Sequence, residues 1–254
     1  MMNKTNLINR LVGFIIFFNF LIFGNCYSFT LEQARFGIGK LSPRAYIKDV
    51  YKDKIKLPTD SSKSLTFSYS IENIPFIPDI KLSYFHLNSS SKSTVKNNYE
   101  IYDLTLNVGD SLLAKVLANN VKLTLYTQPL DKFNYDFLNL NLGLNLNFID
   151  YTVKIKNLTL SQEEDKEIST LVPSLYLSVS VSPTYYITLS LNTDLPFGAK
   201  KREKNIDFEF KYYLNSQVYA FYNYGYKFLR VNKVNDSDFK ITGHMMLVGL
   251  GLLW

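Results

Sequence analysis

Cysteine and histidine are scarce in this chain: Cys26 is the only cysteine, and the 254 residues include only two histidines, His86 and His244. A single cysteine excludes an intramolecular disulfide. The usual transition-metal motifs need clustered Cys and His ligands, and phosphate-binding loops need a glycine-rich run that is also missing. The sequence therefore predicts neither a metal site nor another cofactor.

Long apolar runs are missing too, apart from one near the N-terminus. The stretch 11–23 is mostly apolar, and it follows Lys4 and Arg10 in a segment without acids. Cys26 and Ser28 place small side chains at the −3 and −1 positions of a cut after Ser28, which predicts a secretory signal peptide over residues 1–28. The alternative is an uncleaved membrane helix, but the run is shorter than the roughly 20 residues that such a helix needs.

The positive surplus of the chain is modest and spread along its length. The formal net charge is +6, and the predicted leader alone holds two of the positive charges. The other basic residues are spread among acids, whereas nucleic-acid-binding proteins cluster them on one face. We expect no nucleic-acid partner, and we expect the positive excess to lie in loops or to face anionic lipids.

What the chain does have is strict alternation of apolar and polar residues. From Leu138 to Phe148 every even position is large and apolar, and every odd position is Asn or Gly. Successive side chains of a β-strand point to opposite faces, so such a strand has one apolar face and one polar face. The same alternation recurs in the segments 65–72, 121–126, 175–181, 187–192, 206–214 and 222–228.

The length of these segments and the abundance of aromatics favour lipid on the apolar face. The segments run to about ten residues, as in membrane barrels, whereas strands of globular proteins average five or six. The chain also holds 19 Tyr and 19 Phe, often near the ends of segments, where membrane barrels place aromatic girdles. A soluble periplasmic β-protein with its apolar face inside remains the alternative.

The C-terminus supports the membrane interpretation. Counting back by two from Trp254 gives Leu252, Leu250, Val248 and Met246, all apolar. A terminal aromatic on an alternating last strand resembles the signal by which outer membrane barrels are recognised for assembly. We therefore expect the barrel assembly machinery as a partner of this strand, and outer membrane lipids with lipopolysaccharide as the surroundings; oligomeric state is left open.

The spacing of the segments predicts an all-β, antiparallel, up-and-down transmembrane barrel over residues 29–254, in the outer membrane of a Gram-negative bacterium. The ten predicted strands lie near 35–41, 65–72, 80–87, 121–128, 137–148, 174–182, 186–193, 205–214, 218–230 and 241–254. Short connections alternate with long ones, as periplasmic turns alternate with outer loops. Residues 99–108 and 151–160 are interpreted as hairpin extensions of outer loops; counted as strands, they would give twelve. Residues 110–120 have helical spacing after Asp110 and are predicted to be a helix.

The polar face of the strands predicts a charged interior. The residues expected to face the lumen are Glu72, Lys122, Asp207, Glu209, Lys211 and Lys227. Eight strands already fill a barrel with side chains, and open porins need 16 to 18, so ten should enclose a plugged or narrow lumen. We expect a structural or surface-binding barrel that acts through its outer loops, with a narrow channel for small polar solutes as the alternative.

Histidine chemistry offers a third, weaker hypothesis, a hydrolase at the barrel rim. His86 lies near the serine run 89–91, but neither His86 nor His244 has an acid two residues away. General-base catalysis needs a positioned partner, so both histidines are interpreted as structural or interfacial. The chain is therefore predicted not to be an enzyme.

Three short motifs resemble those of an uncharacterised outer membrane β-barrel family of Gram-negative bacteria. Residues 73–79 contain a Pro-x-x-Pro turn, residues 141–144 read Asn-Leu-Gly-Leu, and residues 171–176 read Leu-Val-Pro-Ser-Leu-Tyr. Asn141 stands where that family more often has an acid, and Trp254 stands where it usually ends in Phe. The resemblance implies an outer membrane barrel and no assigned activity.

Overall fold

The alternating segments of the sequence form long β-strands. The computed structural model describes residues 30–48, 54–57, 62–72, 77–101, 104–130, 137–197, 201–234 and 237–254. The strands are β1 (Thr30–Lys48), β2 (Lys54–Leu57), β3 (Ser62–Glu72), β4 (Asp79–Thr94), β5 (Tyr99–Ile101), β6 (Leu104–Leu106), β7 (Ser111–Thr127), β8 (Leu138–Asn157), β9 (Gln162–Thr184), β10 (Ile187–Pro196), β11 (Lys201–Tyr213), β12 (Val218–Val234) and β13 (Ser237–Leu252). No helix within these ranges is long and apolar enough to cross a membrane.

The first and last strands pair with each other and close the sheet into a barrel. Eleven strands form one sheet in which β1 also pairs with β13, antiparallel from Ala34 opposite Leu252 to Lys48 opposite Asp238. The short β2 pairs only with the far end of β1, so the other ten strands make the closed wall. Neighbouring strands of the wall follow one another along the chain, which confirms the predicted ten-stranded up-and-down barrel. The signal peptide predicted over residues 1–28 lies outside the described residues.

The barrel has two different ends. The turn end holds both chain ends of the wall and the connections 185–186 and 214–217; the loop end holds the connection 158–161 and the described residues 95–101 and 104–110 between β4 and β7. Four neighbouring strands, β4, β7, β8 and β9, extend together toward the loop end, since Thr94 lies opposite Ser111, Leu112 opposite Asn157 and Asn157 opposite Gln162. The predicted extension over 151–160 is thus the tip of the β8–β9 hairpin, and the one over 99–108 is a separate two-stranded sheet of β5 and β6.

The helix predicted over residues 110–120 is wrong, because this segment is the first half of strand β7. Leu112, Ala114 and Val116 are buried on the inner face, while Leu113 and Leu117 lie on the outer face. Apolar residues on both faces hide the period of two and imitate helical spacing. Strands β4 and β8 supply hydrogen-bonding partners on both sides, and this pairing outweighs the local preference.

The strands turn their apolar faces outward at the middle of the barrel. Leu142 and Leu144 of β8 are 44% and 50% exposed, whereas Asn145 and Asn147 are fully buried. The alternative in which these leucines form the core is therefore wrong. Exposed apolar side chains continue around the wall and form a belt that includes Phe36, Ile38, Phe67, Leu125, Leu142, Leu144, Leu175, Leu191, Phe208, Tyr222, Val248 and Leu250.

Candidate functional site

The inner faces of β7, β8, β10 and β11 bring one carboxylate together with three donors. Asp194 is 4% exposed and forms a salt bridge with Lys122. The side-chain amides of Asn145 and Asn205 each donate a hydrogen bond of 2.6 Å to Asp194. Both carboxylate oxygens are therefore satisfied in an interior where an unpaired charge would be costly.

A second ion pair crosses the interior from β1 to β11. The Nη1 atom of Arg35 lies 2.5 Å from Oε2 of Glu209, and Nζ of Lys211 lies 3.7 Å from the other carboxylate oxygen. The Nε–H of Arg35 donates to Oγ of Ser68 at 2.7 Å, and its guanidinium lies 5.3 Å from the ring centre of Phe221. The network thus links β1 to its neighbour β3 and to β11, which lies three strands away through the closure of β1 on β13.

Four of the six residues predicted to face the lumen line one internal cavity. These four are Lys122, Asp207, Glu209 and Lys227. Lys211 contacts Glu209. We call these five residues, together with their partners Arg35, Asp194, Glu203 and Asn205, the charged layer. Glu72 lies apart, toward the turn end, where it accepts hydrogen bonds from Tyr126 and Gln128.

Sequence reasoning missed several members of the charged layer. Arg35 lies two residues before Gly37 and therefore on the same, inner face of β1. Its position in the alternation could have identified it as a lumen-facing residue. Asp194 and Glu203 fell in a predicted outer loop, because the apolar–polar alternation does not indicate that β10 and β11 continue so far. Only the structure shows that Asn205 donates to both carboxylates.

The cavity itself is small. It has a volume of about 110 Å³, which suits a handful of water molecules. Its lining mixes cations with anions and includes Lys81, which has no ion-pair partner among the described residues. Nearer the loop end a second cavity of about 20 Å³ is lined by Leu41, Leu87, Glu203 and Leu229, among others. The interior therefore narrows strongly from the charged layer toward the loop end.

Aromatic rings fill the interior at the turn end. The rings of Tyr219 and Phe221 have centroids 6.4 Å apart and lie beside glycines of β13. A Cβ atom at Gly251 would overlap the Tyr219 ring, and one at Gly249 would lie 2.6 Å from the Phe221 ring. The two glycines are therefore needed so that the rings can approach the wall.

Apolar side chains fill the interior at the loop end. Leu87, Val116, Ile155 and Val172 are each at most 2% exposed and point inward from β4, β7, β8 and β9. The separate β5–β6 sheet adds Leu104 and Leu106, which are 2% and 0% exposed. We call this group, together with Val95, Leu112, Ala114, Val153 and Ile168, the apolar plug.

Asn157 ties the connection between β4 and β7 to the tip of the β8–β9 hairpin. Its Nδ2 group donates to the Thr105 carbonyl oxygen at 3.3 Å and to Oδ2 of Asp110 at 2.7 Å. Its Oδ1 atom accepts hydrogen bonds from the backbone N–H groups of Thr159 and Leu160 at 2.9 and 3.2 Å. This fully buried amide holds the β5–β6 sheet over the plug.

Substitution of Asn157 by alanine should loosen the plug without opening the barrel wall. Each buried group that loses its partner lowers the free energy of local opening by about 1–3 kcal/mol. The opened form is the one that trypsin cleaves, so cleavage after the exposed Lys96 should become at least about tenfold faster. The folded barrel should still show its heat-dependent shift on a gel. Asn107→Ala is the control, since the Asn107 side chain is exposed; equal cleavage of both variants would contradict the role of Asn157.

Both histidines lie on the outer face of the wall. Nδ1 of His86 lies 2.8 Å from Oδ1 of Asn119, and Nδ1 of His244 lies 3.1 Å from the hydroxyl oxygen of Tyr224. Within the described ranges neither histidine pairs with a carboxylate, and no three Cys, His, Asp or Glu residues come together as metal ligands. Among the described side chains, therefore, no carboxylate holds either histidine in the position of a general base.

The residues of the predicted assembly signal lie on the outer face of β13 and just beyond it. Their side chains are about half exposed: Met246 51%, Val248 53%, Leu250 58%, Leu252 47% and Trp254 53%. Recognition of these residues by the assembly machinery stays a prediction.

Comparisons with known proteins give only distant likenesses. No protein-family model and no curated protein matches the chain. The transport unit of the autotransporter AIDA-I from Escherichia coli is 9% identical with a TM-score of 0.45, over 88% of this chain and 90% of that one. The translocator domain of NalP from Neisseria meningitidis is 11% identical with a TM-score of 0.41, over 87% and 88%. Ail of Yersinia pestis is 10% identical with a TM-score of 0.38, over 88% and 99%. The family resemblance of the three sequence motifs stays a prediction.

Proposed function

We propose that this protein is a non-conducting, non-enzymatic barrel of the Gram-negative outer membrane that presents a binding surface outside the cell. The membrane part of the proposal is supported by the apolar belt. On β8 the belt runs from Leu138 to Phe148, which at about 3.3 Å per residue and a usual strand tilt gives about 25 Å. This matches the apolar height of a membrane barrel. The next outward residues toward the loop end, Asn119, Asp150 and Ser169, are polar.

The apolar plug is the observation that supports a closed barrel. A conducting pore needs a continuous polar, water-filled path, but the plug occupies the loop end with buried apolar side chains. The charged layer beneath it is cross-linked by ion pairs and contains only a small cavity. We therefore propose that the buried ion pairs connect the strands of the wall and do not line a path for solutes.

The binding surface is the part of β7, β8 and β9 that rises beyond the belt. On its outer face Lys154 pairs with Asp165 at 3.5 Å, and Lys156 pairs with Glu163 at 3.6 Å. Lys115 lies directly opposite Lys154 on the neighbouring strand. Solvent-exposed pairs of this kind stabilise little, so their side chains are available to an incoming polar partner.

Planar-bilayer recording tests the closed barrel. Wild-type protein should give no discrete openings, whereas the variant Leu104→Asp with Leu106→Asp should admit water to the plug and give measurable conductance. The positive control is that same variant, and its silence would show that the plug is not the barrier. Discrete openings of the wild type would overturn the proposal in favour of the second candidate, a narrow channel through the polar cavity.

A further inference from the structure

Four lysines gather on the outer face of the wall at the loop end, where the binding surface continues from β8 and β7 onto β4. They are Lys92 of β4, Lys115 of β7 and Lys154 and Lys156 of β8, and we call them the lysine cluster. Lys115 lies directly opposite Lys154, and Leu113 lies between Lys92 and Lys156 in the next row. The four cations therefore occupy two adjacent rows on three neighbouring strands.

The charge of the lysine cluster is only partly balanced. The acids that contact it lie on β9, where they pair with Lys154 and Lys156. Among the described outward residues of β3, β4 and β7 none is a carboxylate, so Lys92 and Lys115 have no acid beside them on these strands. Lys115 also faces the like charge of Lys154, and like charges directly opposite each other destabilise a sheet. An anion bound over these lysines gains attraction and relieves this repulsion.

The lysine cluster lies well beyond the apolar belt. Along β8 the outward residues that follow Phe148 are Asp150, Thr152 and Lys154, so Lys154 lies three rows above the end of the belt. Six residues rise about 20 Å along a strand, which is about 15 Å along the barrel axis at the usual tilt. The head-group layer adds only about 5–8 Å to each side of the hydrocarbon core. The cluster therefore faces the medium outside the membrane and not the phosphates of the lipids.

The polar side chains around the lysine cluster carry hydroxyl and amide groups. On the outer face of β4, β7 and β8 they are Asn88, Ser90, Thr94, Ser111 and Thr152. These groups both donate and accept hydrogen bonds, as sugar hydroxyls do. The described outward residues of the same rows include no aromatic ring, whereas proteins hold unpaired bases by ring stacking and bind protein partners through aromatic anchors. The surface therefore fits a charged sugar chain better than a nucleic acid or a protein.

We propose that the lysine cluster binds a linear acidic polysaccharide. This inference rests on the proposed function, because it names the class of partner for the binding surface. Lys92, Lys115 and Lys154 lie on three successive strands, which are about 4.8 Å apart. An acidic group on each sugar lets one chain cross the strands and meet one cation after another. The neighbouring hydroxyl and amide groups then bind the sugar rings between these contacts.

Titration with a chondroitin sulfate octasaccharide tests the proposal on the full chain in phosphatidylcholine nanodiscs. The variant Lys92→Gln, Lys115→Gln, Lys154→Gln removes three cations, each contributing about two- to fivefold to the affinity. The octasaccharide should therefore bind this variant about 10- to 100-fold more weakly than it binds the wild type. The same octasaccharide without its sulfates and with its carboxylates reduced should lose at least as much affinity for the wild type.

The matched control is Lys40→Gln, Arg44→Gln, Lys204→Gln, which removes three outward cations from β1 and β11 and changes the net charge equally. It should bind the octasaccharide as the wild type does. No binding by the wild type, or equal losses in both triple variants, would overturn the proposal, and so would equally tight, cluster-dependent binding of single-stranded DNA. Gel mobility before and after boiling shows that each variant is folded. A wild-type chain that does not insert into bilayers would instead refute the proposed function.

Discussion

Replacing Asp194 with alanine should lower the free energy of unfolding by about 3–5 kcal/mol, the usual cost of leaving a buried charge without its partner. Lys122 would keep its charge in the interior, and the amides of Asn145 and Asn205 would lose an acceptor at 2.6 Å. The measurement is urea-dependent folding into lipid vesicles, followed by gel mobility and by the fluorescence of the single tryptophan, Trp254.

The double variant Asp194→Leu, Lys122→Met is the control for this prediction. It removes both charges and keeps similar volumes, and replacing a whole buried pair is often neutral. We therefore expect the double variant to be clearly more stable than Asp194→Ala. Equal losses in both variants would mean that the ion pair is not what Asp194 contributes.

Replacing Leu144 with arginine should cost about 2–4 kcal/mol of folding free energy, the cost of a cation on the lipid face near the middle of a bilayer. Leu144 is half exposed and lies near the middle of the belt on β8. In water the same change at an exposed position would stay within about 0.5 kcal/mol. Folding into vesicles of a stated lipid, titrated with urea, measures the difference.

Leu117→Arg is the matched control for the lipid face. Leu117 also points outward, but it lies on β7 opposite Thr152, beyond the polar row that ends the belt. It should therefore tolerate arginine within about 0.5 kcal/mol. A neutral Leu144→Arg variant would show that the belt faces water, and it would remove the basis for a membrane location.

The candidate site was predictable only in part. Lys122, Asp207, Glu209 and Lys227 were identifiable because each lies within a regular alternating segment, where its phase gives its face. Asp194 was not, since it lies near the end of β10, where the sequence predicts a loop. Pairing with neighbouring strands decides whether a residue at the end of a segment belongs to the strand or to the loop. Asp194 belongs to β10 because Asn205 of β11 and Tyr176 of β9 pair with it.

The sequence by itself determined the strands and their two faces. The alternation of apolar and polar side chains, as from Leu138 to Phe148, is a local pattern that can be recognised without knowing which strands are neighbours. It could not determine the loop end, since residues 111–117 carry apolar side chains on both faces and matched a helix equally well. Tertiary structure decided that segment by giving it hydrogen-bonding neighbours on both sides. It also decided which charges meet, because the pairs Lys122–Asp194 and Arg35–Glu209 join residues far apart in the chain, and only the closure of β1 on β13 fixes the distance between them.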